Sequence, residues 1–336
     1  MIIAWVGERT VDYKRGNVLP TIILSALPLF LIAALRYGVG TDYFYTYVPY
    51  FNLLEAGIDP KDKEPLFKLL NHIIIFFNGS SQWVFVFCGL MFTYLSYSQI
   101  FKDSPYPWLS ILLLLGMTYY FISLNAVRQM IGASILLYSI RFIESKSLKK
   151  FLLCVLAAAG FHYSCSLFIV VYLAAKLKLN LTKSIILSTL FLALFLLIKD
   201  YVLEAIRITS YGWYLGSKFD NGKLGYFTLA IQFVVFLFSS VTSNLTCKYR
   251  IYLNLQLISL LLATISSVIV LLERVRWLFG LPSIILLPLA ISNIQNKRVR
   301  LMTGALIAIL FSIYAFYTIG IKNGHEVLPY MTIFEI

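Results

Sequence analysis

Arg36, Arg128, Arg274 and Arg276 stand at the ends or in the interior of long apolar runs, and His162 lies in the middle of another. A guanidinium presents a planar fork that grips phosphate oxygens through two parallel hydrogen bonds. Several guanidiniums around one cavity would suit a pyrophosphate or another anionic lipid headgroup. An imidazole has a pKa near neutrality and is the usual general base when it faces a hydrated cavity, although a lone histidine is more often a packed residue with one hydrogen bond. Asp42 is a second candidate base. It lies in RYGVGTDY, where Gly38 and Gly40 allow the backbone to turn sharply and bring the carboxylate back toward a site. Gly40, Tyr43, Tyr47, Gln129 and Glu273 are candidates to contact a glycan or lipid, since tyrosine rings serve both as sugar-stacking surfaces and as the aromatic belt of a membrane. The structural alternative for each arginine is that it reaches out of a helix end to the headgroups.

Other chemistry has no motif to support it. The chain has no phosphate-binding glycine loop, no HExxH zinc signature, no nucleophile-elbow serine and no carboxylate cage. The expectation is therefore a mechanism without cofactor or metal. Cys88, Cys154, Cys165 and Cys247 lack metal-like spacing and read as small packing residues. His325, beside Glu326, and His72 are weaker candidates than His162.

The elements that must position these groups are membrane helices. With 60% hydrophobic and 13% charged residues and a mean hydropathy of +0.83, the chain has too little polar surface to cover a soluble globule. Apolar stretches long enough to cross the roughly 30 Å hydrocarbon core recur throughout, without the alternation of a membrane barrel. The reading is an all-α polytopic integral membrane protein, a bundle of about 9–11 transmembrane helices in one domain over 1–336. Spans are expected at 18–35, 82–101, 107–124, 127–143, 184–200, 224–241, 251–272, 277–292 and 301–319. The first is expected to be a retained signal anchor. Residues 65–78 are short for a span and read as an interfacial or re-entrant helix within an outer loop, 36–81. A second outer segment covers 199–223. Residues 151–175, with Gly160 and His162 at their centre, read as two half-helices in a hairpin.

The net charge of +13 does not point to nucleic acid, because the basic residues cluster between spans as the positive-inside rule requires. With the N-terminus in the cytoplasm and 65–78 and 151–175 not crossing, KSLKK, KLKLNLTK, CKYR and NKRVR all fall inside. The candidate residues then gather at the outer face. The run from 107 to 143 becomes two spans meeting near Asn125 to Gln129, so Arg128 need not enter lipid.

In order and spacing, several segments resemble one family. RYGVGTDY follows the first span, then come KEPLFKLLN, NAVRQMIGASILLYSIRFIESKSLKKFLLCVLAAAGFHYS, ERVRWLFGLPSIILLP and a terminal VLPY. Together they are similar to the EpsG-like branch of the Wzy-type bacterial polysaccharide polymerases. The resemblance implies a glycosyltransferase-C-like architecture in the bacterial inner membrane with its active site facing the periplasm. It implies transfer of a glycan from undecaprenyl pyrophosphate to the non-reducing end of another lipid-linked repeat unit, metal-free and inverting. Arg36, Asp42, Arg128, Gln129, His162 and Arg274 fall on the family's recurring polar positions. Partners implied are the lipid-linked donor and acceptor, membrane lipids and a chain-length regulator.

Three rival readings use the same residues. A flippase for the same lipid-linked oligosaccharide would also have an outward arginine cavity, but the paired halves common in transporters are not visible. A membrane O-acetyltransferase would be expected to carry a histidine in its first span, and 18–35 has none. An O-antigen ligase is mechanistically close to a polymerase. The sidedness has a direct test in intact cells. Under this topology, an impermeant maleimide labels Ser80→Cys from outside and reaches Lys178→Cys only after lysis; the opposite pattern would invert the assignment.

Overall fold

The computed structural model describes residues 19–61, 64–209, 212, 215, 225–244, 246–266 and 268–335. Every extended regular element among them is helical, and an isolated bridge pairs Arg36 with Thr332. The chain is an all-α polytopic membrane protein. Four helices are long and apolar enough to cross a bilayer by length and composition, Gln82–Asp103, Leu181–Arg207, Cys247–Ser266 and Lys297–Ile321, and two bent pairs raise this to six. Where the sequence suggests one domain, the contacts group into two compact units, Met1–Leu167 with Ile294–Ile336, and Phe168–Asn293.

The first unit contains α1 (Leu19–Leu35), a π-helical turn (Tyr43–Tyr47) leading into α2 (Val48–Glu55), α3 (Pro65–Phe76) and α4 (Gln82–Asp103). It continues with α5 (Pro107–Gly116), α6 (Tyr119–Asn125), α7 (Val127–Glu144) and α8 (Leu148–Phe161). The run from 107 to 143 is therefore three helices. The expected break near Asn125 is present at Ala126, and a second separates α5 from α6, which meet at 52° across Thr118 with its positive φ of 65°.

Helix α7 is buried on nearly every side, from Val127 and Gln129 through Ile140 and Ile143, and packs against α4 and α8. An apolar pattern that runs all the way round a helix is that of a core element. A short helix stands at 65–78 as expected: α3 buries Phe67, Asn71 and Ile74 and exposes Leu69, Ile73 and Phe76. Residues 151–175 break where expected, at His162, whose backbone is extended (φ −158°, ψ 120°). A 3-10 segment, Tyr163–Val170, follows.

The loop after α1 is held from several directions. Gly40 N–H donates to Glu326 O at 3.0 Å and Tyr37 N–H to Met331 O at 2.9 Å, while Asp42 N–H donates to the Asn125 Oδ1 at 2.9 Å. Gln82 Nε2 donates to Ala34 O at 2.6 Å and to Arg36 O at 3.1 Å. The last turns of the chain thus serve as a clamp on RYGVGTDY.

The second unit contains α9 (Val171–Ala174), α10 (Leu181–Arg207), α11 (Gly225–Val241), α12 (Cys247–Ser266), and the pair α13 (Leu272–Gly280) and α14 (Ser283–Ser292), bent by 41°. Within it, Gln232 Oε1 accepts from Gln256 Nε2 and Ser259 Oγ, each at 2.9 Å, a side-chain bond set of the kind that ties helices together in lipid. Helix α10 continues past the expected span end at 200 to Arg207, and about half of the expected outer segment 199–223 lies outside the described residues, as does the charged N-terminus. Helix α15 (Lys297–Ala315) returns to the first unit and packs on α5.

The turn at Gly40 has a φ of +91°, and a Cβ there would stand 2.8 Å from Leu124 O. At Gly57 φ is +76° but a Cβ would meet nothing within 4 Å. Gly40→Ala should cost about 1–3 kcal/mol more than Gly57→Ala, read as a lower unfolding temperature of the purified protein; equal shifts for both would mean that the loop does not need its contact with α6.

Candidate functional site

Three segments distant in sequence meet at one carboxylate. Glu64 precedes Pro65, which occupies the first turn of α3 with a φ suited to a helix start. The Glu64 side chain does not cap that helix. Its Oε2 pairs with Arg128 Nη1 at 2.7 Å, and its Oε1 lies 2.5 Å from His162 Nδ1. The side chains of Glu64, His162 and Arg128 are 6%, 16% and 22% exposed, so the acid is inside and its two partners reach toward the surface.

The helices are built to bring these groups together. Arg128 and Gly132 lie four residues apart on α7 and so share a face. A Cβ on Gly132 would collide with Cys165 Sγ and stand 3.2 Å from Ala158 O. The absent side chain lets α7 approach the end of α8, where His162 sits. Gln129 Nε2 lies 3.5 Å from Ser164 Oγ across the same junction. Helix α7 starts at Ala126 with no side-chain cap of its own; instead the Arg128 N–H points to the Tyr47 hydroxyl oxygen at 3.4 Å. The Arg128 guanidinium lies 5.5 Å from the Phe67 ring centre and 6.0 Å from that of Tyr47.

A neutral His162 that donates its Nδ1–H to the Glu64 carboxylate would keep a lone pair on Nε2. Burial pushes the Tyr47 phenol up to about 12, which leaves it protonated at neutral pH. The cluster sets an imidazole and a guanidinium on the two oxygens of one carboxylate.

The other expected residues fall elsewhere. Asp42 is at the start of the π-helical turn, where Thr46 Oγ1 lies 3.4 Å from its Oδ1. Tyr43 donates its hydroxyl to Gln82 Oε1 at 3.0 Å and stacks on Phe85 at 4.4 Å; burial pushes it up to about 12 as well. The rings of Tyr43 and Tyr47 are inside the protein, and the tyrosine of this segment that faces outward is Tyr45, 83% exposed. Arg36 is buried over the Phe85 ring at 4.7 Å, and burial works against its charge. Arg274, Arg276 and Glu273 belong to the second unit. There Arg276 clasps Glu273 through both Nε, at 2.8 Å, and Nη2, at 2.5 Å. His72 is exposed on α3, and His325 has a positive φ of 65° in the clamp near Gly40.

Glu64 is the residue that sequence reasoning missed. It lies inside KEPLFKLLN, but an acid directly before a proline-initiated helix reads locally as a partner of the helix dipole, and that reading hides a role across the fold.

Among curated proteins and among solved structures nothing matches this chain. The model of the EpsG family matches residues 20–332. Nearly the whole chain is covered, including each segment that supplies the cluster, and the chain belongs to the EpsG family.

Proposed function

We propose that this membrane protein of polysaccharide biosynthesis is a glycosyltransferase that polymerises lipid-linked repeat units, using the Glu64–His162 pair as its base and Arg128 as its donor-side cation. The observation that carries the reading is the carboxylate shared between an imidazole and a guanidinium in a chain of this family. The donor is a glycan on undecaprenyl pyrophosphate, bound at the periplasmic face of the inner membrane. An acceptor hydroxyl oxygen attacks the anomeric carbon, and His162 Nε2 takes the hydroxyl proton. The bond from that carbon to the pyrophosphate breaks, its electron pair leaving on the phosphate oxygen, with inversion at the anomeric centre. Charge grows on the leaving phosphate as the bond breaks, and a pre-placed guanidinium stabilises that change more than it stabilises the ground state.

Glu64 is a positioning residue here. It holds the ring tautomer and orientation and stabilises the imidazolium once the proton arrives, the role of a carboxylate behind a histidine base. The carboxylate contact favours His162 over Asp42 as base. The exposed ring of Tyr45 is the better candidate for stacking an acceptor sugar. The proposal rests on residues of the first unit alone.

Single-turnover elongation by purified protein with defined lipid-linked repeats tests this. His162→Ala should slow the chemical step by about 10²–10⁴-fold and Glu64→Gln by about 10-fold or more, while Asp42→Asn should stay near wild type. Wild-type chemistry in His162→Ala would remove it as the base, and translocation of the lipid without elongation would replace the polymerase reading by a flippase. Arg128→Ala should lower the rate at saturating donor as well as donor affinity; an effect on affinity alone would reduce Arg128 to a binding contact. Because removing one partner from a buried ion pair typically destabilises a protein by about 3–5 kcal/mol, unfolding temperature is recorded for each variant, and His162→Gln serves as the variant that keeps a hydrogen-bonding side chain.

A further inference from the structure

Arg36 is 2% exposed, and its Nε has no hydrogen-bond partner among the described residues. Its guanidinium faces the Phe85 ring at 4.7 Å, a contact that offsets only part of the cost of taking a cation out of water. The groups that act on it electrostatically include Tyr120, Tyr47, Cys88, Tyr43 and Tyr330, phenols and a thiol rather than carboxylates. A buried cation without a counter-charge is costly enough that proteins pair it or give it a ligand.

A cavity of about 10 Å³ opens beside this guanidinium, bounded by Phe85 and Cys88 of α4, Ser123 of α6, and Val127 and Met130 of α7. None of the residues lining it is acidic. The wall made by α7 is the side of its first turn, Val127, Met130 and Ile131, near the end of an 18-residue helix where the helix dipole is positive. A buried guanidinium therefore borders a space walled mostly by apolar groups, close to the positive end of a helix dipole. That space is of the size that one water occupies. A diphosphate is many times larger, and a water molecule brings no charge.

We propose that this cavity binds one small monovalent anion, chloride under ordinary conditions, between Arg36 and the first turn of α7. The ion would neutralise Arg36 and hold in place the start of the helix that presents Arg128. The inference is independent of the catalytic reading, because it concerns folding of the first unit and not the chemistry at His162.

Thermal unfolding of the full chain in zwitterionic nanodiscs tests it, with sodium chloride, bromide and gluconate compared at equal ionic strength. Chloride and bromide should each raise the unfolding temperature saturably over gluconate, by about 2–4 °C, and Arg36→Met should unfold at one temperature in all three salts. Equal unfolding of wild type in chloride and gluconate overturns the proposal, and so does a halide effect that persists in Arg36→Met. Should Arg36→Met fail to fold, anomalous scattering from bromide in crystals of the wild-type protein decides: a peak within contact distance of the Arg36 guanidinium supports the site, and no peak there overturns it. Pyrophosphate provides the remaining arm. If it abolishes the bromide peak by occupying the Arg36 cavity itself, Arg36 belongs to the donor site and the small-anion site does not exist.

Discussion

The carboxylate of Glu64 is the constraint on which the first unit turns. It is nearly enclosed, and it meets a guanidinium through one oxygen and an imidazole through the other. Opposite charges about 4 Å apart interact by roughly 4 kcal/mol at an effective dielectric of 20, against a desolvation cost of several kcal/mol per ion. The pair persists only where the surrounding helices hold both partners in good geometry. Here the acid comes from the residue just before α3, Arg128 from the first turn of α7, and His162 from the residue just after α8. Each group lies at a helix terminus, where a polar side chain can leave the apolar packing that the rest of the helix requires.

This explains an arginine inside a long apolar run. Helix α7 is apolar because it is the central helix of its unit, buried along its length against α4 and α8, and not because it lines up against lipid. A break at Ala126 leaves Arg128 two residues into the new helix, where its backbone N–H needs a partner and finds the Tyr47 hydroxyl. Backbone and side chain of Arg128 therefore draw on two different segments, the π-helical turn and the residue just before α3. Tyr47 joins the positions of both, since its ring lies 5.8 Å from that of Phe67 on α3.

The clamp at the chain terminus has a related role. Residues near 326 and 331–333 bond to the backbone around Leu35, Tyr37 and Gly40, and the Tyr330 hydroxyl donates to Ile32 O at 2.7 Å. Segments that sequence reading treats as separate motifs, RYGVGTDY and VLPY, thus form one structural assembly. Asp42 is committed by its N–H to Asn125, which fixes the loop against the α6–α7 break.

Much of this was legible along the chain. Hydropathy and charge determined that the protein is a helical membrane protein, because a backbone in lipid must satisfy its own hydrogen bonds and composition alone fixes which stretches can enter. Proline marked the start at Pro65 and Gly160 with His162 the break at 162, as local backbone effects, while the polar residues Asn125 to Gln129 marked the break at Ala126. The order of the polar segments pointed to the family, and with it to Arg128 and His162. Only the tertiary structure decided which acid faces them. Glu64 and His162 are 98 residues apart, and no periodicity links an acid before one helix to a histidine after another. The same holds for Tyr43, Tyr47 and Arg36: the sequence presents them as outer-face rings and charge, whereas packing of the segment after α1 turns them inward, because burial depends on which surfaces meet and not on the residues that flank each position.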